Sequence, residues 1–218
     1  MNNIIEALNR RYATKKFDTN KKINQEDFTT LLESLRLAPS SFGLQPWKFI
    51  HVKTPEIRTE LQNNSRGQAQ VTEASDLIVI AVKTTMDEND VEEYTQSIQK
   101  IRAVNVSEIS EADIKKLLDY KNMMIGTITS RTPEQIKSWN QKQAYIAMGF
   151  LLETCAILGI DACPMEGFDP NKYDEILGLD KLGLTATVVI PVGYRSSEDK
   201  YADLTKVRFD KEEVVIEK

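Results

Sequence analysis

The residues best suited to do chemistry in this 218-residue chain are cationic, and they stand at its two ends. Arg10, Arg11, Lys15 and Lys16 crowd the segment Arg10–Phe17, and Lys206 and Arg208 stand two positions apart near the C-terminus. Arginine forks and lysine point charges suit phosphate. In extended chain, residues i and i+2 point the same way, so Lys206 and Arg208 can meet one anion together. A solvated turn and a solvated tail are the plainer readings of the same clusters. Two loops add to the pattern. Pro39-Ser40-Ser41-Phe42-Gly43-Leu44-Gln45-Pro46-Trp47 combines hydroxyls, a glycine and two prolines, and suits close approach to a ligand. Pro164-Met165-Glu166-Gly167-Phe168 carries a second glycine. Together these outline a pocket for a phosphate-bearing cofactor.

Other chemistries find no support. The chain has no G-x-x-x-x-G-K-[ST], no G-x-G-x-x-G and no G-x-S-x-G, so neither a P-loop, a dinucleotide turn nor a nucleophile elbow is signalled. His51, the one histidine, reads as structural rather than catalytic. No Cys or His pair has ligand spacing, so neither metal nor disulfide is expected, and Cys155 and Cys163 read as small buried hydrophobes in a reducing cytosol. A net charge of −5 disfavours a nucleic-acid partner. Met1–Arg10, with Glu6, lacks the features of a secretory signal, and no apolar run reaches the roughly 20 residues of a membrane span. The expectation is therefore a cytoplasmic protein. Its 41% hydrophobic and 28% charged residues fit one ordinary globular domain over 1–218.

The elements that must position these residues follow from caps and periodicity. A long helix is predicted over Pro133–Leu158, capped by Thr132 and stopped by Gly159. Its second half is apolar nearly all round, so it must run through the protein centre or be shared with a second subunit. A short amphipathic helix is predicted near Asn3–Arg10. A second follows Asn24, with Phe28, Leu31, Leu32 and Leu35 on one face, and a third follows Thr54 and Pro55. Trp47–Val52 reads as a strand, and Leu77–Val82 and Thr185–Gly193 as buried strands. The segment 87–131 reads as a helical excursion, a cover for a substrate channel or plain surface helices. Its stripes are Ile98, Ile101 and Val104, then Ile114, Leu117 and Leu118, with Ser110 and Asp113 starting the second helix. Asp169 and Pro170 open a further helix that Gly178 ends.

Arg11-Tyr12-Ala13-Thr14-Lys15-Lys16-Phe17, Pro39-Ser40-Ser41 with Gln45-Pro46-Trp47, Pro164–Phe168 and Lys206-x-Arg208 resemble, in order and spacing, the signatures of the oxygen-insensitive NAD(P)H nitroreductase family. The resemblance runs from about residue 4 to 209. It implies an α+β fold with a mixed or antiparallel central sheet flanked by helices. It also implies a homodimer built on the long central helix, with tightly bound FMN at two sites per dimer. Arg11, Lys206 and Arg208 would hold the FMN phosphate, and Tyr12 and Ala13 would add main-chain contacts. Lys15 would lie toward the ribityl and pyrimidine side, favouring the anionic reduced flavin. Pro39, Ser40, Ser41 and Gly43 would come from the partner subunit. Pro164, Met165, Glu166 and Gly167 would run along the flavin ring, the Glu166 amide facing N5. Gly67 and Gln70 stand where well-known members carry asparagine and lysine, Gly43 replaces a polar residue of some members, and Met124 and Ile125 align with aromatic channel residues. Phe42, Gly67, Met124 and Ile125 would thus line the substrate channel. The implied activity is ping-pong oxidation of NADH or NADPH, with electrons passed to a nitroaromatic, quinone or other electron-poor small molecule. The alternatives are a dihydropteridine or flavin reductase on the same fold, or a flavin-binding dimer without turnover.

Overall fold

The computed structural model describes residues 2–103 and 110–218. Four strands form one antiparallel sheet in the order β1-β2-β4-β3: β1 (Trp47–His51), β2 (Asp76–Lys83), β3 (Asp161–Ala162) and β4 (Leu184–Gly193). The mixed alternative is thereby resolved to antiparallel pairing among the named strands, with one isolated parallel bridge, Ala13 to Ala162, at the sheet edge. β2 and β4 read as continuous apolar runs because both of their faces are covered. On one face Ile78, Ile80, Val188 and Ile190 pack against Phe28, Leu31 and Leu35 of α2 (Gln25–Arg36) and Ala144, Ala147 and Leu151 of α7 (Pro133–Leu158). On the other, Leu77, Val79, Ala186 and Val189 meet Leu61 of α3 (Pro55–Asn63), Val71 of α4 (Gln70–Glu73) and Tyr173 of α8 (Pro170–Leu177). Ile80 pairs with Val188 but Ala81 pairs with Ala186, so Thr187 is the extra residue of a bulge. The bulge is why Ala186 and Val189, three apart, share a face.

The helix boundaries follow local chemistry. The Asn24 side chain accepts from the Asp27 amide, and that of Asp169 from the amides of Asn171 and Lys172. Thr132 and Gln135 form a reciprocal capping box at the start of α7, and Gly159 ends it at φ 75°. Thr54 differs: it sits at the N-cap of α3 without a side-chain cap bond, and Pro55 alone marks the start.

α7 buries Ala144, Ala147, Leu151, Cys155 and Ala156 against the sheet. Its opposite face does not meet the rest of the chain. Ile146, Phe150 and Ile157 are 41, 43 and 49% exposed, with Gly149 between them. Of the two ways to bury such a helix, its own chain supplies only one side.

The excursion forms α5 (Glu88–Ala103) and α6 (Glu111–Thr129) after an α1 (Asn2–Arg10) that matches its expected span. Ser110 caps α6 through the Asp113 amide. The face that packs is not the one periodicity suggested. Val91, Met124 and Ile128 join Met86 and Ile136 in a small core, while Ile101, Ile114 and Leu118 are exposed. Val104 lies outside the described residues. Among the described residues no helix is long and apolar enough to cross a membrane.

Candidate functional site

The segment from Arg11 to Phe17 is threaded between the sheet edge and the chain after β4. Thr14 donates its amide to the Ala162 carbonyl, Phe17 bridges Arg195, and the Ser196 amide donates to the Lys16 carbonyl. Asp199 organises the turn. Its carboxylate accepts the Tyr12 hydroxyl at 2.8 Å, the Lys15 amide at 2.8 Å, the Lys16 amide at 3.1 Å and the Tyr201 amide at 3.0 Å. Burial would raise its pKa, but these donors outweigh burial and hold it below the ordinary aspartate value. Arg195 stacks over the Tyr12 ring with its guanidinium carbon 4.6 Å from the centroid, while donating to Asp161 at 2.9 Å. Tyr12 is thus held on both sides, and Arg11 beside it is aimed by the same frame.

Around Arg11 the two ends of the chain meet. Arg11, Tyr12, Ala13, Lys15, Lys206 and Arg208 line one cavity of about 550 Å³, shared with Tyr201 to Val207. The Lys206 ammonium donates to the Arg11 carbonyl. Burial first, then Arg208, lowers the Arg11 pKa; burial, then Arg11 and Arg208, lowers that of Lys206. Among the described residues neither Arg11, Lys206 nor Arg208 is ion-paired to a carboxylate, whereas the neighbouring Arg10 and Arg195 both pair with Asp161. Three cations gathered at a cost to their own ionisation form a site for an anion. The tail that carries them is less polar than its sequence suggested, leaving Val207, Phe209 and Ile216 exposed at 85, 78 and 80%.

The Pro164–Gly167 loop leaves the same sheet edge three residues beyond Ala13's partner. Met165 is bound to Val189 of β4 through both main-chain groups, at 2.8 and 3.1 Å. The next two amides, of Glu166 and Gly167, donate to no acceptor among the described residues. The Glu166 carboxylate accepts the Tyr145 hydroxyl from α7. The Gly167 carbonyl accepts from Gln68 at 3.1 Å.

Other expected positions are placed differently. Ser40, Ser41 and Gly43 stand on a separate turn that does not reach the cationic cavity within one chain; the Ser41 amide donates to Gln143 of α7 at 2.9 Å. Gly43, at φ 79°, has a specific steric role, since a Cβ there would lie 2.2 Å from the Tyr94 hydroxyl. Phe42 and Ile125 do come together, beside Tyr120 and Trp139. Met124 in the same cluster is fully buried, so the expectation that it lines an open channel is corrected. Gly67 lies outside this cluster, on the turn after α3 that also carries Arg66. Gln70 is buried at the start of α4, and Gln68, which sequence reasoning passed over, is the residue that meets the 164–168 loop. Tyr145 and Asp199 were missed as well. No local signal marks any of the three, because each acts across a long sequence separation. His51 has a partner after all: Asp76, at 2.8 Å, which also accepts from Ser75. Cys155 and Cys163 are buried thiols, and burial pushes Cys155 up to about 12.

The chain also resembles known proteins along its whole length. Residues 8–194 match the sequence pattern of the Nitroreductase family. A protein of Staphylococcus saprophyticus named as an NAD(P)H nitroreductase is 38% identical, over 97% of this chain and 95% of its own. A Bacillus subtilis protein named as a nitroreductase superposes with a TM-score of 0.84 at 21% identity, covering 100% of both chains. One from Exiguobacterium sibiricum, solved in complex with FMN, superposes with a TM-score of 0.81 at 19% identity, covering 99% of this chain and 97% of that one. At such identities the two structures speak to the fold; the match over 8–194 and the 38% identical relative speak to descent. This chain belongs to the Nitroreductase family of oxidoreductases.

Proposed function

We propose that the protein is an FMN-dependent NAD(P)H oxidoreductase that passes electrons to a nitroaromatic, quinone or related electron-poor acceptor. The observation that carries this reading is the convergence of Arg11, Lys206 and Arg208 without a carboxylate partner. The donor set fits FMN. Three cations answer a phosphate dianion, and a loop with two adjacent unpaired amides, Glu166 and Gly167, offers donors to the edge of a flat heteroaromatic ring. Arg11, Lys206 and Arg208 would hold the phosphate, with Tyr12 and Ala13 closing the cradle. Lys15 would place a positive charge beside the ring, and Pro164 to Gly167 would run along it. FMN, when bound, supplies hydride acceptance and donation. The protein's share is to orient ring and reductant and to keep charge complementary.

We place the complete site in a homodimer, with two FMN per dimer. The exposed Ile146, Phe150 and Ile157 of α7 are an apolar stripe that a second copy would cover, and Gly149 lets a second helix approach closely. Pro39, Ser40, Ser41 and Gly43, which do not reach the cavity of their own chain, would then serve the partner's site, where Phe42 and Ile125 would face the acceptor.

The deciding experiment is the visible spectrum of purified protein, with FMN added if needed, before and after anaerobic NADPH or NADH. Flavin absorbance that bleaches with the nucleotide and returns with a quinone or nitroaromatic is the expected result. Protein that stays colourless after FMN addition would overturn it. Flavin that binds but is never reduced would leave only a binding role.

A further inference from the structure

The geometry points to Tyr145 as a positioning residue that, with Gln68, clamps the Glu166–Gly167 segment so that its two free amides face the cofactor edge. The inference rests on the FMN reading above and deepens it. The segment is held on three sides. Met165 is fixed to β4 by two main-chain hydrogen bonds, so the loop enters at a set height. Gln68 donates to the Gly167 carbonyl at 3.1 Å and to the Ser65 carbonyl at 3.0 Å, tying the exit to the turn after α3. Between these anchors the Glu166 side chain is exposed, and its one side-chain bond is to the Tyr145 hydroxyl on α7.

A phenol suits this task. Partial burial and the neighbouring carboxylate push Tyr145 up to about 12, so at neutral pH it stays protonated and donates. The helix behind it is rigid over 26 residues, capped at both ends, and packed on the sheet through Ala144 and Ala147. Tyr145 thereby transmits the stiffness of α7 to a glycine-containing loop whose own backbone is under-constrained. The Glu166 and Gly167 amides are left aimed rather than satisfied, as pre-organised donors require.

The clamp acts differently on the two redox states. An N–H donor favours the oxidised ring, whose N5 is an acceptor, over the reduced ring, whose N5 carries hydrogen. Tyr145→Phe is therefore expected to weaken binding of oxidised FMN about fivefold and leave reduced FMN unchanged. For a two-electron couple that is a rise of about 20 mV in midpoint potential. Potential and oxidised-FMN affinity are to be measured in four proteins: wild type, Tyr145→Phe, Glu166→Ala and the double variant. The proposal expects the Tyr145→Phe shift in the wild-type background and none in the Glu166→Ala background. Arg208→Ala, by contrast, should weaken both redox states equally. An unshifted Tyr145→Phe protein, or the same shift in both backgrounds, would overturn the clamp while leaving the FMN reading intact. Wild-type protein that binds no FMN would overturn both. Tyr145 is 37% exposed, so its substitution by Phe leaves no cavity.

Discussion

Lys206 donates its ammonium to the main-chain carbonyl of Arg11, 195 positions earlier, and so closes the two ends of the chain into one cationic cavity. The contact uses one of three lysine donors and neutralises no charge. Arg11, Lys206 and Arg208 therefore remain mutually repulsive until an anion arrives.

Removing one of these charges should separate binding from stability. Arg208→Ala is expected to weaken FMN binding by about 2 kcal/mol, roughly thirtyfold, the worth of a charge-assisted hydrogen bond. The same change relieves repulsion in the empty cavity, so the unfolding midpoint without FMN should hold or rise slightly. Fluorescence titration and thermal denaturation on one preparation would check both.

The cavity also carries a pH dependence with a definite sign. Burial, Arg11 and Arg208 lower the pKa of Lys206 below the ordinary 10.5. An anion prefers the protonated lysine, so affinity is complete well below that pKa and declines as pH rises through it. The decline should begin at lower pH than for an ordinary lysine, and be absent in Lys206→Ala. Titrations of FMN across the alkaline range would show it.

At Gly43 the prediction is steric. Its φ of 79° is costly for any L side chain, and a Cβ would collide with the Tyr94 hydroxyl. Gly43→Ala should lose about 2 kcal/mol of stability in urea unfolding. Part of the loss should return in Gly43→Ala with Tyr94→Phe, which removes the nearest atom but leaves the backbone strain.

Gly149 should behave in the opposite way. It lies inside α7, and a Cβ there meets nothing within 4 Å in its own chain. Gly149→Leu is expected to strengthen the helix by up to about 1 kcal/mol. If a second α7 crosses at this point, the same change should weaken self-association at least tenfold, measured by sedimentation over a dilution series. Unaltered association would place the interface elsewhere.

Much of the architecture was legible because it is written locally. Thr132 with Gln135 and Asn24 with Asp27 act within a single turn, so the starts of α7 and α2 are visible in four-residue windows. Leu77–Val82 announces a strand covered on both faces by its unbroken apolar run. The Thr187 bulge left no such mark, since it depends on the register of β4 against β2. The α5 and α6 stripes misled because helical spacing identifies a face without saying what covers it. Ile101 and Ile114 are exposed, while Met124 turned inward.

For the site, the sequence alone determined the chemical types: cations at both ends, a glycine-bearing loop at 164–168, and the absence of a nucleotide-loop motif. Only the tertiary structure decided which of them meet. Lys206 and Arg208 join Arg11 because the chain after β4 returns across the sheet edge. Asp199 orders the Tyr12–Lys16 turn from more than 180 residues away, and Gln68 rather than Gln70 reaches Gly167. Caps and periodicity are short-range consequences of backbone geometry, readable within a few residues. A hydrogen bond across the fold exists only where packing brings its partners within about 3 Å.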